Sequence, residues 1–290
     1  MSRKVPAVII AISLAVSVWG TRSPLHAAPE AIFQGVTLEK EKLTSPRPVE
    51  LIWIEADLSV PGVSLEFTPP PDPKPPGKAE ILASKPTQLL PKLGWQVILN
   101  GDAFAVPEDP KRLPRDGEAI DINGPAIYRG TPFSPAISNS TRYGIFYQLR
   151  NGTCGVSYSP MPKAWNAIGG FHVILKGGAV LAKKDTPLHP RSVVGVNNRT
   201  RRIYFLIVDG RRPGQSEGAT EVEIAEWMKK RGATDALNLD GGGSSIMAVN
   251  TGSPPTVRVL NTPVGLLNIP GTERPVANCI GLKAPALQKK

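Results

Sequence analysis

Apolar and polar residues alternate along VELIWIEADLS (Val49–Ser59), and VSLEF (Val63–Phe67) follows the turn dipeptide Pro61-Gly62. A period of two marks strands, so this stretch predicts a hairpin. QVILNGDAF predicts a buried strand over Val97–Leu99 that ends in polar Asn100, Gly101 and Asp102. RYGIFYQLRNGTCGVSY sets two β-rich runs about Asn151-Gly152, a tight-hairpin dipeptide. FHVILKGGAVL turns at Gly177-Gly178, and SVVGV and RIYFLIV flank Asn197-Asn198 as a further hairpin. TQLLPKLGW predicts a short helix interrupted by proline, PPPDPKPPG (Pro69–Gly77) an extended surface loop, and residues 105–135 a long loop. One helix is fully specified. Thr220 and Glu223 form a capping box, Val222, Ile224, Ala225 and Met228 give an apolar face, and Gly232 is the stop.

These elements order themselves into a β-α-β unit: a strand Ile203–Val208 ending at Asp209, a helix Glu221–Arg231, and a strand Ala236–Leu239 ending at Asp240. Such a unit normally makes parallel strands through a right-handed crossover, which sets both aspartates on one edge of a sheet, about 5 Å apart in backbone if the strands are neighbours. Ligands tend to bind at that edge. Each acid is followed by glycine, in DGRRPG and in DGGGSS. Three bare glycines are entropically costly to order, and the local reason is close approach of a ligand, with exposed amides and Arg211 to receive an anion. Taken singly, Asp-Gly is turn chemistry; the pair at matching strand ends is what points to a site. The fold class expected is α+β, a strand-rich mixed sheet with few helices and one β-α-β unit carrying the site.

Composition narrows the setting. Hydrophobic content of 41% and charged content of 20% suit a globular chain, and 31 prolines argue against a mainly helical one. The start reads as a signal peptide over residues 1–27: Arg3 and Lys4, then the apolar VPAVIIAISLAVSVWG, then small residues at Ala27 and Ala28. An uncleaved anchor is the alternative, though Val5–Gly20 is just short of a span. Residues 28–290 then form a single domain with its core at about 49–282, secreted or periplasmic and without stable membrane insertion. The net charge of +10 comes from scattered basic residues with no nucleic-acid motif, which points to an anionic substrate or envelope polymer. Cys154 and Cys279 are permitted a disulfide in an exported protein, while their spacing does not suit a metal site.

The run HPRSVVGVNNRTRRIYFLIVDGRRPGQSEGATEVEIAEWMKKRGATDALNLDGGGSS resembles the phosphodiester glycosidase domain. Uncovering enzymes of that family remove N-acetylglucosamine from a sugar phosphodiester, and bacterial members are often labelled exopolysaccharide-related. IEADLSVPGVSLEF, VILNGDAF, AIGGFHVILKGG and RPVANCIGL are similar to further family segments, so the likeness spans roughly Val49 to Leu282. It implies a site of Asn100, Arg191, Asp209, Arg211, Asp240, Gly241, Gly242, Gly243 and Ser244, with Asp102 a further candidate. Phe171-His172 departs from the family pattern after Gly-Gly.

The chemistry expected is hydrolysis of a sugar-1-phosphodiester in a glycoconjugate or envelope polysaccharide. Positive charge develops on the sugar, so a carboxylate is needed there, and arginines with backbone N–H groups are needed at the departing phosphate. Asp240 is expected as base or nucleophile, with Asp209 orienting or taking the second part. Arg191 and Arg211 are expected on phosphate and Asn100 on a sugar hydroxyl. His189 is an acid-base candidate at neutral pH or a loop-packing residue. No cofactor is expected, although a divalent cation is compatible. Two other readings fit the residues: a non-catalytic binding protein for anionic exopolysaccharide, and a metal-dependent phosphodiesterase using Asp209 and Asp240 as ligands.

Overall fold

The computed structural model describes residues 25–26, 28–75, 77, 79–110, 112–134, 143–158, 163–252 and 254–288. Most of the expected signal, residues 1–24 and 27, lies outside the described residues; Leu25–His26 pair with Glu41 and Lys42. Among the described residues the chain is strand-rich with two α-helices, Pro86–Lys92 and Glu221–Arg231. No helix among them is long and apolar enough to cross a membrane.

The largest sheet has nine described strands. Its middle runs Val36–Leu43, Val49–Asp57, Arg202–Val208, Arg191–Asn197, Asp235–Asn238 and His172–Lys176. RIYFLIV shows why it lies at the centre. Ile203, Phe205 and Ile207 face the smaller sheets, while Tyr204, Leu206 and Val208 face the long helix through Ile224, Ala225 and Met228. A strand that is apolar on both faces must be covered on both, so the helix, the sheet and the smaller sheets stack as three layers.

The strand-rich α+β class with few helices holds, and the β-α-β unit is present. Its two strands are parallel but not adjacent, because Arg191–Asn197 runs antiparallel between them. The ladders between described strands are antiparallel rather than mixed. The Asn151-Gly152, Gly177-Gly178 and Asn197-Asn198 hairpins form as read. The expected Val49–Phe67 hairpin does not. Val49–Asp57, buried along most of its length, pairs with Val36–Leu43 and Arg202–Val208, and Ser64–Phe67 joins Cys279–Lys283 in a second sheet. The loop expected over 105–135 contains short strands at Ala119–Ile122, Ala126–Tyr128 and Thr131–Ser134, anchored by buried Ile120, Ile122 and Ala126. Cys154 and Cys279 are both buried and free, so no disulfide joins them.

Candidate active site

Asp209 and Asp240 follow the carboxyl ends of their strands at one edge of the large sheet, with Arg191 starting the strand between them. Two inter-strand steps separate them, about 10 Å in backbone rather than one step of about 5 Å. Their surroundings then diverge.

Asp240 lines a cavity of about 290 Å³, walled by Gly241, Gly242, Gly243, Arg191, Arg211 and Arg274, with Phe171, His189 and Pro190 completing it. A larger cavity of about 430 Å³ lies near Asn198 and Arg201 at the far end of the same strands and is lined by no carboxylate. A third cavity, of about 550 Å³ along the Pro69–Pro75 loop, has the carboxylates of Asp72 and Asp116 but no arginine, so of these three the smallest is the one that sets an acid beside arginines.

The backbone of Asp240 is clamped from the second sheet. Its N–H donates to the Gly101 carbonyl at 2.9 Å, and the Asn100 side chain donates to its carbonyl at 2.7 Å. Asn100 Oδ1 accepts from Ser192 Oγ at 2.7 Å and from Ile246 N at 3.2 Å. Both ends of the Asn100 amide are thus taken by protein. The expected contact with a sugar hydroxyl gives way to a bracing role that ties two sheets together under the acid.

The glycine triplet has a specific cause at each position. A Cβ on Gly241 would stand 2.7 Å from the Pro190 carbonyl, which receives the Gly242 N–H at 2.9 Å. Gly242 has φ 60°, and its Cβ would stand 2.9 Å from Arg211 Nη2. On Gly243 a Cβ would overlap the Arg274 guanidinium. The bare backbone lets two arginines lie directly over the turn, one on each of its last two glycines. Close approach is the reason for the triplet, and the approaching groups are the protein's own cations.

Burial lifts the carboxyl of Asp240 above its ordinary range, against the pull of the Ser244 hydroxyl, Arg274, the Gly241 N–H and Arg211. Arg191 is also buried. Its Nε donates to Ala219 O at 2.9 Å and its Nη2 to Pro187 O at 2.8 Å. Glu221, first residue of the long helix, lies 3.7 Å from Arg191 Nη1 and 2.7 Å from His172 Nδ1. Burial works against its charge, but His172 and Arg191 hold its carboxyl below the usual range. His189 joins the cavity wall. Burial and the charges of Arg191 and Arg211 push its pKa down, so its ring is neutral at pH 7. The loop-packing reading of His189 therefore understates its place.

Asp209 is elsewhere. Its carboxyl accepts from Asn261 Nδ2 at 3.0 Å, Thr262 N at 2.9 Å and Arg212 Nη1 at 3.3 Å, and it does not line the cavity. Asn261 also donates to Ser245 O, so Asp209 steadies the chain leaving the glycine turn. Asp209 is thus engaged by protein partners outside the cavity wall that holds Asp240, and one of those partners braces the glycine turn. Ser244 is buried beside Asp240, and its side chain does not line the cavity.

Asp102 is sealed beneath the site. Its carboxyl accepts from Ala103 N and Gly124 N, both at 2.7 Å, and burial pushes its pKa up to about 8. A Cβ on Gly124 or Gly169 would strike this carboxyl, and one on Gly170 would stand 2.9 Å from the Asn238 carbonyl, so the two glycines after Ile168 are bare for different reasons. Arg274 is the cavity residue that sequence reasoning missed. Its one signal is Arg-Pro, an arginine beside a proline in RPVANCIGL, as in HPRS. Among the described residues no group of three or more His, Cys, Asp or Glu side chains forms a metal site.

No curated protein sequence matches the chain. A catalytic domain of zebrafish N-acetylglucosamine-1-phosphodiester alpha-N-acetylglucosaminidase, auto-inhibited by its pro-peptide, shares the fold with a TM-score of 0.60 at 16% identity, over 92% of this chain and 85% of that one. A hypothetical protein from Synechocystis gives 0.59 at 14% identity over 87% of this chain, which spans 62% of that protein. A putative exported protein from Burkholderia pseudomallei gives 0.55 at 15%, over 81% and 74%. The sequence itself matches the phosphodiester glycosidase family over residues 94–283, a stretch that includes the glycine turn, all three cavity arginines and Asp240, and the chain belongs to that family.

Proposed function

We propose that this protein is an exported hydrolase that cleaves the glycosidic bond of a sugar-1-phosphodiester in a glycoconjugate or envelope polysaccharide. The observation that carries the reading is Asp240 beside a glycine turn overlaid by Arg211 and Arg274. With Asp240 ionised, Arg191, Arg211 and Arg274 against Asp240 and Glu221 leave one surplus positive charge, which complements the single negative charge of a phosphodiester. Family membership supports the bond type, and the N-terminal pattern of residues 1–27 supports export.

In this mechanism the guanidiniums receive the charge that collects on the phosphate as the C1–O bond breaks, and the carboxylate of Asp240 answers the positive charge on the sugar ring, as nucleophile or as base toward water. A phosphate monoester is already a good leaving group, so one carboxylate suffices. Asp209 and Asn100 hold the backbone that carries it.

The test is Asp240→Asn assayed on N-acetylglucosamine-1-phosphate methyl ester, alongside its melting curve. Turnover is expected to fall by about 10³-fold with the melting transition intact. Wild-type turnover in the folded variant would remove Asp240 from the chemistry.

A further inference from the structure

Large exposed apolar side chains are few among the described residues, and half of them lie on two segments next to the cavity residues His189, Arg211 and Arg274. Eight are exposed among the described residues, and Leu188, Leu266, Leu267 and Ile269 lie on the segments that border the arginine-lined cavity. Leu188 directly precedes His189 in the wall. Residues 265–271 form a loop whose start at Gly265 lies against the Arg274 backbone. Its base is closed by Gly265 N donating to Thr272 O at 2.7 Å and Leu266 N donating to Thr272 Oγ1 at 2.9 Å. Leu267 and Asn268 have φ of 48° and 60°, a conformation that leucine rarely adopts. Leu267 is left 87% exposed, while Asn268 Oδ1 accepts from Arg211 Nη1 at 2.9 Å. That bond ties the tip of an apolar loop to a guanidinium of the cavity. Scattered single leucines need no explanation, but three exposed apolar side chains on one loop that is bonded to a guanidinium of the cavity wall mark a binding surface.

We propose that this apolar rim is the subsite for the alcohol part of the substrate, and that this part is a hydrocarbon chain. The inference rests on the cavity being a phosphodiester site. A phosphodiester carries two ester oxygens. With the sugar carbon against Asp240, the second oxygen in this proposal lies toward Arg211, the cavity guanidinium that is bonded to the loop. A sugar or glycerol there would need hydrogen-bond partners. The loop offers Leu266, Leu267 and Ile269 instead, and its polar side chain, Asn268, is engaged by Arg211. A hydrocarbon covering these side chains removes apolar surface from water on both partners.

Titration calorimetry with ethyl methyl phosphate and decyl methyl phosphate, both below micelle-forming concentration, tests this. The wild type is expected to bind the decyl probe at least about tenfold more tightly. The variant Leu266→Ser/Leu267→Ser/Ile269→Ser is expected to bring the two affinities close together with an unchanged melting temperature. Equal affinities in the wild type, no binding of either probe, or a preference that survives in the triple variant would overturn the proposal. Co-sedimentation with phosphatidylglycerol vesicles that the variant loses, without discrimination between the soluble probes, would also overturn it by assigning the loop to a membrane surface. These readouts involve binding alone. An absence of turnover on sugar phosphodiesters would therefore count against the catalytic reading and leave the chain-length result standing.

Discussion

At the scale of single residues, what matters is which atoms are missing. Gly243 has no side chain because the Arg274 guanidinium occupies that space, and the same holds for Gly169 beneath Asp102. Gly243→Ala is therefore expected to displace Arg274, raising KM for the phosphodiester while the buried strands on either side keep the fold; an unchanged KM would show that Arg274 does not bind phosphate. Asp102 makes a prediction about pH. Its carboxyl ordinarily titrates at 3.8 and here is pushed up to about 8, so between those values the folded chain holds a proton that the unfolded chain has released. The stability that this proton linkage contributes is complete below about pH 4 and is lost as pH rises toward 8. Melting temperatures measured across pH 4–8 should fall for the wild type relative to Asp102→Asn, whose side chain does not titrate. The variant starts from a lower value, since an amide cannot accept from both Ala103 and Gly124. Parallel curves would refute the shift. Of the two Asp-Gly pairs that the sequence offers as a candidate site, Asp240-Gly241 and its triplet line the cavity, and Asp209 does not. That Asp240 faces a cavity and Asp209 faces Asn261 was not legible in the sequence, because both acids end strands in the same way and differ only in partners over 50 residues away in the one case and 140 in the other.

At the scale of elements, locally encoded features were legible and non-local ones were not. The long helix has the expected ends: the Thr220 and Glu223 side chains cap each other's backbone, and Gly232 closes the helix with φ 108°. Removing the cap with Thr220→Ala should cost about 0.5–2 kcal/mol, measurable by urea denaturation. A null effect would mean that Arg47, which pairs with Glu223, and Thr186, which accepts from Glu221 N, carry the helix start by themselves. Hairpins with Asn-Gly or Gly-Gly turns formed as read because two or three residues decide them. Proximity in sequence favours a hairpin of Val49–Asp57 with Ser64–Phe67, whereas Val49–Asp57 is flanked by the preceding strand Val36–Leu43 and the distant Arg202–Val208, and Ser64–Phe67 pairs with the distant Cys279–Lys283. Burying Val49–Asp57 requires a neighbour on both sides, and a six-residue connection to Ser64 supplies neither.

At the scale of the whole molecule, three layers place the two cysteines in different sheets, on strands Cys154–Ser157 and Cys279–Lys283, each fully enclosed. Burial raises both thiols, Cys154 to about 12, which suppresses the reactive thiolate. The native protein is expected to leave both cysteines unmodified by a thiol reagent at pH 8 and to expose two on denaturation. Reducing agent should not shift the melting temperature; a shift would reveal a disulfide. The same layering moves the functional edge to where two sheets meet, since Asn100 and Gly101 of the second sheet hold Asp240 of the first.

By itself the sequence determined the strand-rich class, the capped helix, the tight hairpins, and a site built on Asp240, three glycines and arginines, because each of these follows from chemistry within a few neighbouring residues or from a motif carried in one run. Only the tertiary structure decided that Arg191–Asn197 separates the two acids, that Asn100 and Asp209 brace the turn from outside the cavity, and that Arg274 and an apolar loop complete its rim. Those outcomes depend on long-range pairing and on which side chain fills a given volume, and neither is written in local spacing.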